Sequence, residues 1–177
     1  MLNLSDKIME ENKSKLEQLQ TLLNEADLKS NIIKVGPNAP IETLLIALSA
    51  LEANDDRDWQ LEISFVPGYA EKLENTEILQ FFVCLTDRVA PTAQATLEKL
   101  LTAYNTQIPL GMFGFFKAQN LLYYRHVTLI NKDDDLEDTL PELIWMISHV
   151  LTQYSNAALA GATGTYSAEE IFQKIGL

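Results

Sequence analysis

An α+β fold, one antiparallel sheet of five to six strands carrying helices in the order α-β-β-β-α-β-β-α, is predicted by three features of the chain. Apolar residues recur at helical spacing in three stretches, and they alternate or run on continuously in the extended stretches between. The second helical pattern also passes directly into a strand pattern at Asn105-Thr-Gln-Ile-Pro109-Leu-Gly111-Met-Phe113. The 177 residues, 47% of them hydrophobic, suffice for one buried core and are short for two. Residues 1–177 are therefore expected to form a single domain with a short helical extension from about residue 157.

Ile8, Leu16, Leu19, Leu22, Leu23 and Ala26 lie on one helical face and predict an amphipathic helix over about residues 4 to 27, capped by Ser5 or Asp6. A short extended run, Asn31 to Val35, meets the Gly36-Pro37-Asn38 turn. Residues Ile41 to Leu51 suit a strand or a short helix, and the strand reading is preferred. After the acidic turn Asn54 to Asp58, Trp59, Leu61, Ile63 and Phe65 alternate with Gln60, Glu62 and Ser64, the pattern of a strand with one wet face. Ile78 to Leu85 is nearly all apolar, which predicts a central strand covered on both faces, with Cys84 as a small buried hydrophobe.

Pro91 suits the first turn of a second helix bearing Ala93, Leu97, Leu100, Leu101 and Tyr104 on one face. Gly111 to Phe116 and Leu121 to Ile130 read as a hairpin turning near Lys117-Ala-Gln-Asn120. Thr139-Leu-Pro-Glu142 has capping-box spacing and opens a third helix with Leu143, Ile144, Ile147, Val150, Leu151 and Tyr154 inward. The small-residue stretch Ala157 to Gly164 is expected to fray or bend. A last short helix follows, with Ser167 and Glu170 as its capping box and Tyr166 and Ile171 at the positions of a hydrophobic staple.

The net charge of -12 is concentrated in two stretches, Glu52 to Glu77 and Asp133 to Glu142. Such a surface repels phosphate backbones and anionic lipid, so nucleic-acid and membrane partners are not expected. No run approaches the roughly 18 apolar residues of a membrane span, the N-terminus lacks a leader pattern, and the one cysteine suits a reducing compartment. A cytoplasmic protein without cofactor or metal is expected.

No stretch carries a catalytic motif. Asp133-Asp-Asp-Leu-Glu-Asp138 fails the calcium-loop register, which would need glycine at Asp138 and glutamate at Ile144, and reads as carboxylates ahead of a helix start. His149 follows Ser148 on a helix, where adjacent residues do not face each other, and His126 lies on a strand. Gly161-Ala-Thr-Gly164 and Gly111-Met-Phe-Gly114 lack the basic residues of phosphate loops and read as a helix end and close strand packing. Tyr123, Tyr124, Phe113, Phe115 and Phe116 make the late hairpin aromatic on both faces.

The order of elements resembles the type III secretion chaperone-like fold. The second half, through Leu100-Leu-Thr-Ala-Tyr-Asn105, Ile108-Pro109-Leu110-Gly111-Met112-Phe113 and Leu122-Tyr-Tyr-Arg125, also resembles the YbjN family of bacterial sensory-transduction regulators and small cyanobacterial proteins of this shape. The resemblance implies a non-enzymatic protein that holds an unidentified polypeptide partner and forms a homodimer using part of residues 91 to 130. Leu97, Leu101, Tyr104, Phe113, Phe115, Tyr123, Tyr124 and Arg125 are the candidate partner or dimer surface. The rival expectation is a small-ligand sensor or enzyme with a pocket between sheet and helix, built on Arg125, His126 or Tyr124.

Overall fold

The computed structural model describes residues 14–37, 40–48, 59–69, 72–133 and 135–175. The first turns expected of the N-terminal helix with caps Ser5 or Asp6, Asn38 of the first turn and the acidic turn Asn54 to Asp58 lie outside the described residues. The architecture is α+β. Helix α1 (Lys15–Glu25) is followed by β1 (Ser30–Ile33), β2 (Thr43–Ala47), β3 (Gln60–Phe65) and β4 (Thr76–Thr86), then by α2 (Gln94–Tyr104). The hairpin β5 (Met112–Phe116) and β6 (Leu121–Asn131) leads to α3 (Thr139–Thr163) and α4 (Ala168–Ile175). The six strands form one sheet in the order β1-β2-β3-β4-β6-β5, every neighbour antiparallel.

Strand periodicity decides which side the helices cover. Leu44 and Ile46, Leu61 and Ile63, Leu79, Phe81 and Val83, Leu122 and Tyr124, and Phe113 point to one face and are buried there. Helix α1 lays Leu16, Leu19 and Leu23 on that face, each burial contributing roughly 1.5–3 kcal/mol. Its start is fixed by a capping box in which Ser14 Oγ accepts from Glu17 N–H and Glu17 accepts from Ser14 N–H. Helix α2 places Leu97, Leu100, Leu101 and Tyr104 in the core. The rings of Tyr154, Tyr104, Phe113 and Tyr124 form a chain from α3 through α2 into the hairpin, at centroid spacings of 5.4, 6.3 and 5.5 Å.

Three local expectations are corrected. Thr139 opens α3 without acting as its cap: Asp138 precedes the helix, no side-chain cap bond forms, and Leu140 N–H already donates to Leu136 O at 3.0 Å. The stretch from Ala157 does not fray but stays in the helix, because alanine is the best helix former and small side chains let neighbouring helices close in. Helix α3 runs to Thr163, buries Ala157, Ala158, Gly161 and Ala162, and ends at Gly164 with φ of 72°. A β-carbon on Gly161 would stand 2.7 Å from Leu100 Cδ2, so α2 packs directly on this glycine. The third correction concerns β4, which is central as expected but bare on one side: Cys84 is exposed and Phe82 half-buried.

The box at Ser167 and Glu170 forms as read from the sequence, with bonds of 2.7 and 3.2 Å. Ile171 is buried, while Tyr166 is exposed and carries Lys174 Nζ 3.8 Å from its ring centroid.

Both edges of the sheet are guarded by the helix that precedes the edge strand. On β5, Asn105 Nδ2 donates to Phe113 O at 2.8 Å and Asn105 Oδ1 accepts from Phe113 N–H at 2.9 Å. On β1, Gln20 donates to Ser30 O at 2.9 Å and Asn24 Oδ1 accepts from Ser30 N–H at 3.2 Å. A side-chain amide thus takes the place of a further strand at each edge, which limits open-ended pairing.

Candidate functional site

Among the described residues, two surfaces stand out as unfilled by this packing. The first is an apolar crease on the helix-covered side, where α1 and the start of α3 diverge. Leu79, Thr128, Ile130, Leu136, Leu140 and Leu143 line a cavity of about 280 Å³ there. A neighbouring hollow of about 170 Å³ shares Ile130 and Leu136 and extends to Leu19, Leu22 and Phe65 on the α1 side. Its rim is charged: Lys15 pairs with Glu77 at 2.5 Å, and Lys132 donates to the carbonyls of Leu73 and Glu74 at 2.8 and 2.9 Å.

The second surface is the bare face of the sheet. Met112, Phe116, Val127 and Leu129 are exposed, Leu129 to 61%. Phe82 and Tyr123 stack at 5.3 Å, and the Tyr123 ring lies over Gly114, where a β-carbon would come within 2.4 Å of it. A groove of about 400 Å³ runs beside them, lined by Pro40, Ile41, Leu45, Glu62, Ser64, Gln80 and Phe82 among others. Ser64, expected on a wet face, is buried in this groove. Burial pushes the Glu62 carboxyl above its ordinary value of 4.5, and no hydrogen bond or ion pair among the described residues reaches it.

The structure divides the sequence candidates between interior and surface. Leu97, Leu101, Tyr104, Phe113 and Tyr124 are all buried within the chain, because α2 and the inner side of the hairpin pack on one another. They supply no partner surface. Phe115 is half-buried on the same side, whereas Tyr123 and Arg125 lie on the bare face. Tyr124 Oη donates to Leu110 O at 2.9 Å, and burial raises its phenol far above the ordinary value.

His126 sits on the helix side with its ring 5.8 Å from Phe81, and desolvation lowers its pKa. Arg125 points the other way and donates from Nε to Gln80 Oε1 at 2.7 Å. Tyr124, Arg125 and His126 therefore do not converge on one pocket. Cys84 is exposed beside them, its thiol pushed up by desolvation and then by Asp87 and Glu62, which disfavours a reactive thiolate.

Among the described residues, no group of three or more His, Cys, Asp or Glu side chains is placed to hold a metal ion. No helix among them is long and apolar enough to cross a membrane. Alternation along the chain placed Glu62 on a wet face and the run through Gln80 and Phe82 in a covered central strand. The alternation of β3 put Glu62 opposite the core face, but strand pairing was needed to set it beside Phe82, with Ser64 beside Gln80.

The fold and these surfaces define an α+β protein with a one-sided sheet. No protein-family model matches the chain, and no curated protein matches it. Among solved structures, it is similar to the crystal structure of an uncharacterized protein from Methanothermobacter thermautotrophicus, with a TM-score of 0.47 and 12% identity over 82% of this chain and 97% of that one.

Proposed function

We propose that this chain is a non-enzymatic, chaperone-like or adaptor protein of the cytoplasm that holds a segment of another polypeptide. The supporting observation is the crease between α1 and α3, apolar on its floor and rimmed by charge, with Leu136 and Leu143 half-buried at its lip. An extended segment laid there would cover apolar surface that the fold leaves wet, at roughly 25 cal/mol per Å² buried. The order of helices and strands resembling secretion chaperones agrees with such a role.

The test is site-specific photo-cross-linking in cells. A photoreactive residue at Leu143 should capture one or a few defined proteins that the same residue at exposed Gln173 does not, and Leu136→Lys should abolish the capture while circular dichroism stays unchanged. Identical products at both positions, or none at Leu143, would sink the proposal.

A further inference from the structure

The bare sheet face carries a pattern that a second copy of the same chain would match. Strand pairing places Leu45 beside Glu62, Glu62 beside Phe82, Phe82 beside Arg125 and Arg125 beside Met112. One row across five strands thus reads apolar, acidic, aromatic, basic, apolar, and Phe82 on central β4 is its midpoint. With neighbouring strands about 4.8 Å apart, Glu62 and Arg125 lie about 5 Å to either side of that midpoint. A two-fold axis running along β4 between two stacked faces exchanges the two sides of the row. Glu62 of one copy then lies opposite Arg125 of the other, twice, with Phe82 against Phe82 and Leu45 against Met112.

The local chemistry agrees with this arrangement. The Glu62 carboxylate is desolvated in its groove without a counter-charge, and the cost of that burial is relieved by a guanidinium entering from outside. Arg125 is exposed, its Nε is held by Gln80, and its Nη groups make no bond among the described residues, so a two-toothed contact with a carboxylate is open to it. Stacked sheets sit about 10 Å apart, a gap that a long arginine spans. Around the pair, Met112, Val127 and Leu129 are exposed and Ile78, Phe82 and Tyr123 half-buried, the apolar area such packing would cover. The guarded edges leave this face as the route for self-association that does not run on into a fibre.

We infer that the bare face is a closed, two-fold interface between copies of this chain, in which Glu62 of each copy receives Arg125 of the other. This is a different surface from the crease. The test is sedimentation of the full chain from about 1 to 200 µM with three variants. The wild type should reach twice the 19.9 kDa chain mass. Glu62→Arg and Arg125→Glu alone should each weaken the dimer about a hundredfold or more, about tenfold for each of the two contacts that become like-charged.

The double swap Glu62→Arg/Arg125→Glu should restore dimerisation, and so should an equimolar mixture of the two single variants, which sets opposite charges at both contacts again. Because Cys84 is the only cysteine and lies on β4 two residues from Phe82, beside the axis, a short bis-maleimide should join the copies in the wild type and not in either single variant. A wild type that stays monomeric at 200 µM overturns the inference. So does a dimer indifferent to both single variants, or folded single variants that fail to recombine. Loss of the cross-link at Leu143, in contrast, would strike the proposed function and leave this interface standing.

Discussion

Replacing Gly111 by alanine tests the joint between α2 and the hairpin. Gly111 adopts φ of 69°, and a β-carbon there would lie 2.3 Å from Tyr124 Oη, 2.5 Å from Tyr124 Cζ and 2.9 Å from Arg125 O. The left-handed backbone alone costs an alanine about 1–2 kcal/mol. The backbone carbonyl cannot yield, and Tyr124 is fully buried, so its ring must shift and surrender the bond to Leu110 O. A buried hydroxyl left unsatisfied adds about 1–3 kcal/mol. The expected loss is therefore about 2–5 kcal/mol against a total stability of about 5–15 kcal/mol for a domain.

Urea unfolding followed by far-ultraviolet circular dichroism measures this loss, with Tyr124→Phe and the double variant completing a cycle. Removing the hydroxyl also removes the nearest clashing atom, so the double variant should be less destabilised than the sum of the two singles. A Gly111→Ala protein within 0.5 kcal/mol of wild type, or strict additivity in the cycle, would refute the reasoning.

Asn105→Ala should cost about 1–3 kcal/mol for two lost bonds to Phe113 and should raise concentration-dependent light scattering, since the β5 edge is then open; unchanged scattering argues against a guarding role. Gly161→Ala adds about 1 kcal/mol of helix propensity but presses on Leu100 and Leu97, both fully buried, so a net loss of about 1 kcal/mol is expected by denaturant titration and a net gain would refute the packing argument. Burial first, and Tyr154 second, push the Tyr104 phenol from 10.0 up to about 12. Because the folded value lies above the unfolded one, its contribution is whole below pH 10 and drains away as pH rises toward 12. Tyr104→Phe should flatten part of the fall in unfolding midpoint over that window, and an unchanged profile would count against the assignment.

The fold was legible where one physical signal dominated. Alternation of Leu61 and Ile63 against Gln60 and Glu62 set the facing of β3, and Ser167 with Glu170 marked the start of α4. Two of the misreadings share a cause, since both concerned what lay on the far side of an element. The apolar run through Phe82 and Cys84 predicts a doubly covered strand, yet among the described residues Cys84 is exposed and Phe82 half-buried on that side. Likewise, the alanines after Ala157 were read as weak structure because the match between Gly161 and Leu100 exists only between two packed helices. The candidate surfaces were the least legible part. A row such as Leu45, Glu62, Phe82, Arg125 and Met112 draws one residue from each of five strands, and its members become neighbours only through register.

The amide guards also tie the fate of each edge strand to one helix. Gln20 and Asn24 belong to α1 and reach back from only ten and six residues before Ser30, while Asn105 closes α2 eight residues before Phe113. Such short loops close early in folding, before the long-range strands are aligned. Each edge is thereby covered from the moment its helix exists. In the native protein the same link runs in reverse: an edge strand that peels away must break its amide bonds to the helix, so amide-exchange protection in α1 and β1 should rise and fall together, and likewise in α2 and β5. Exposure of either strand edge then carries the added cost of freeing its helix's amides.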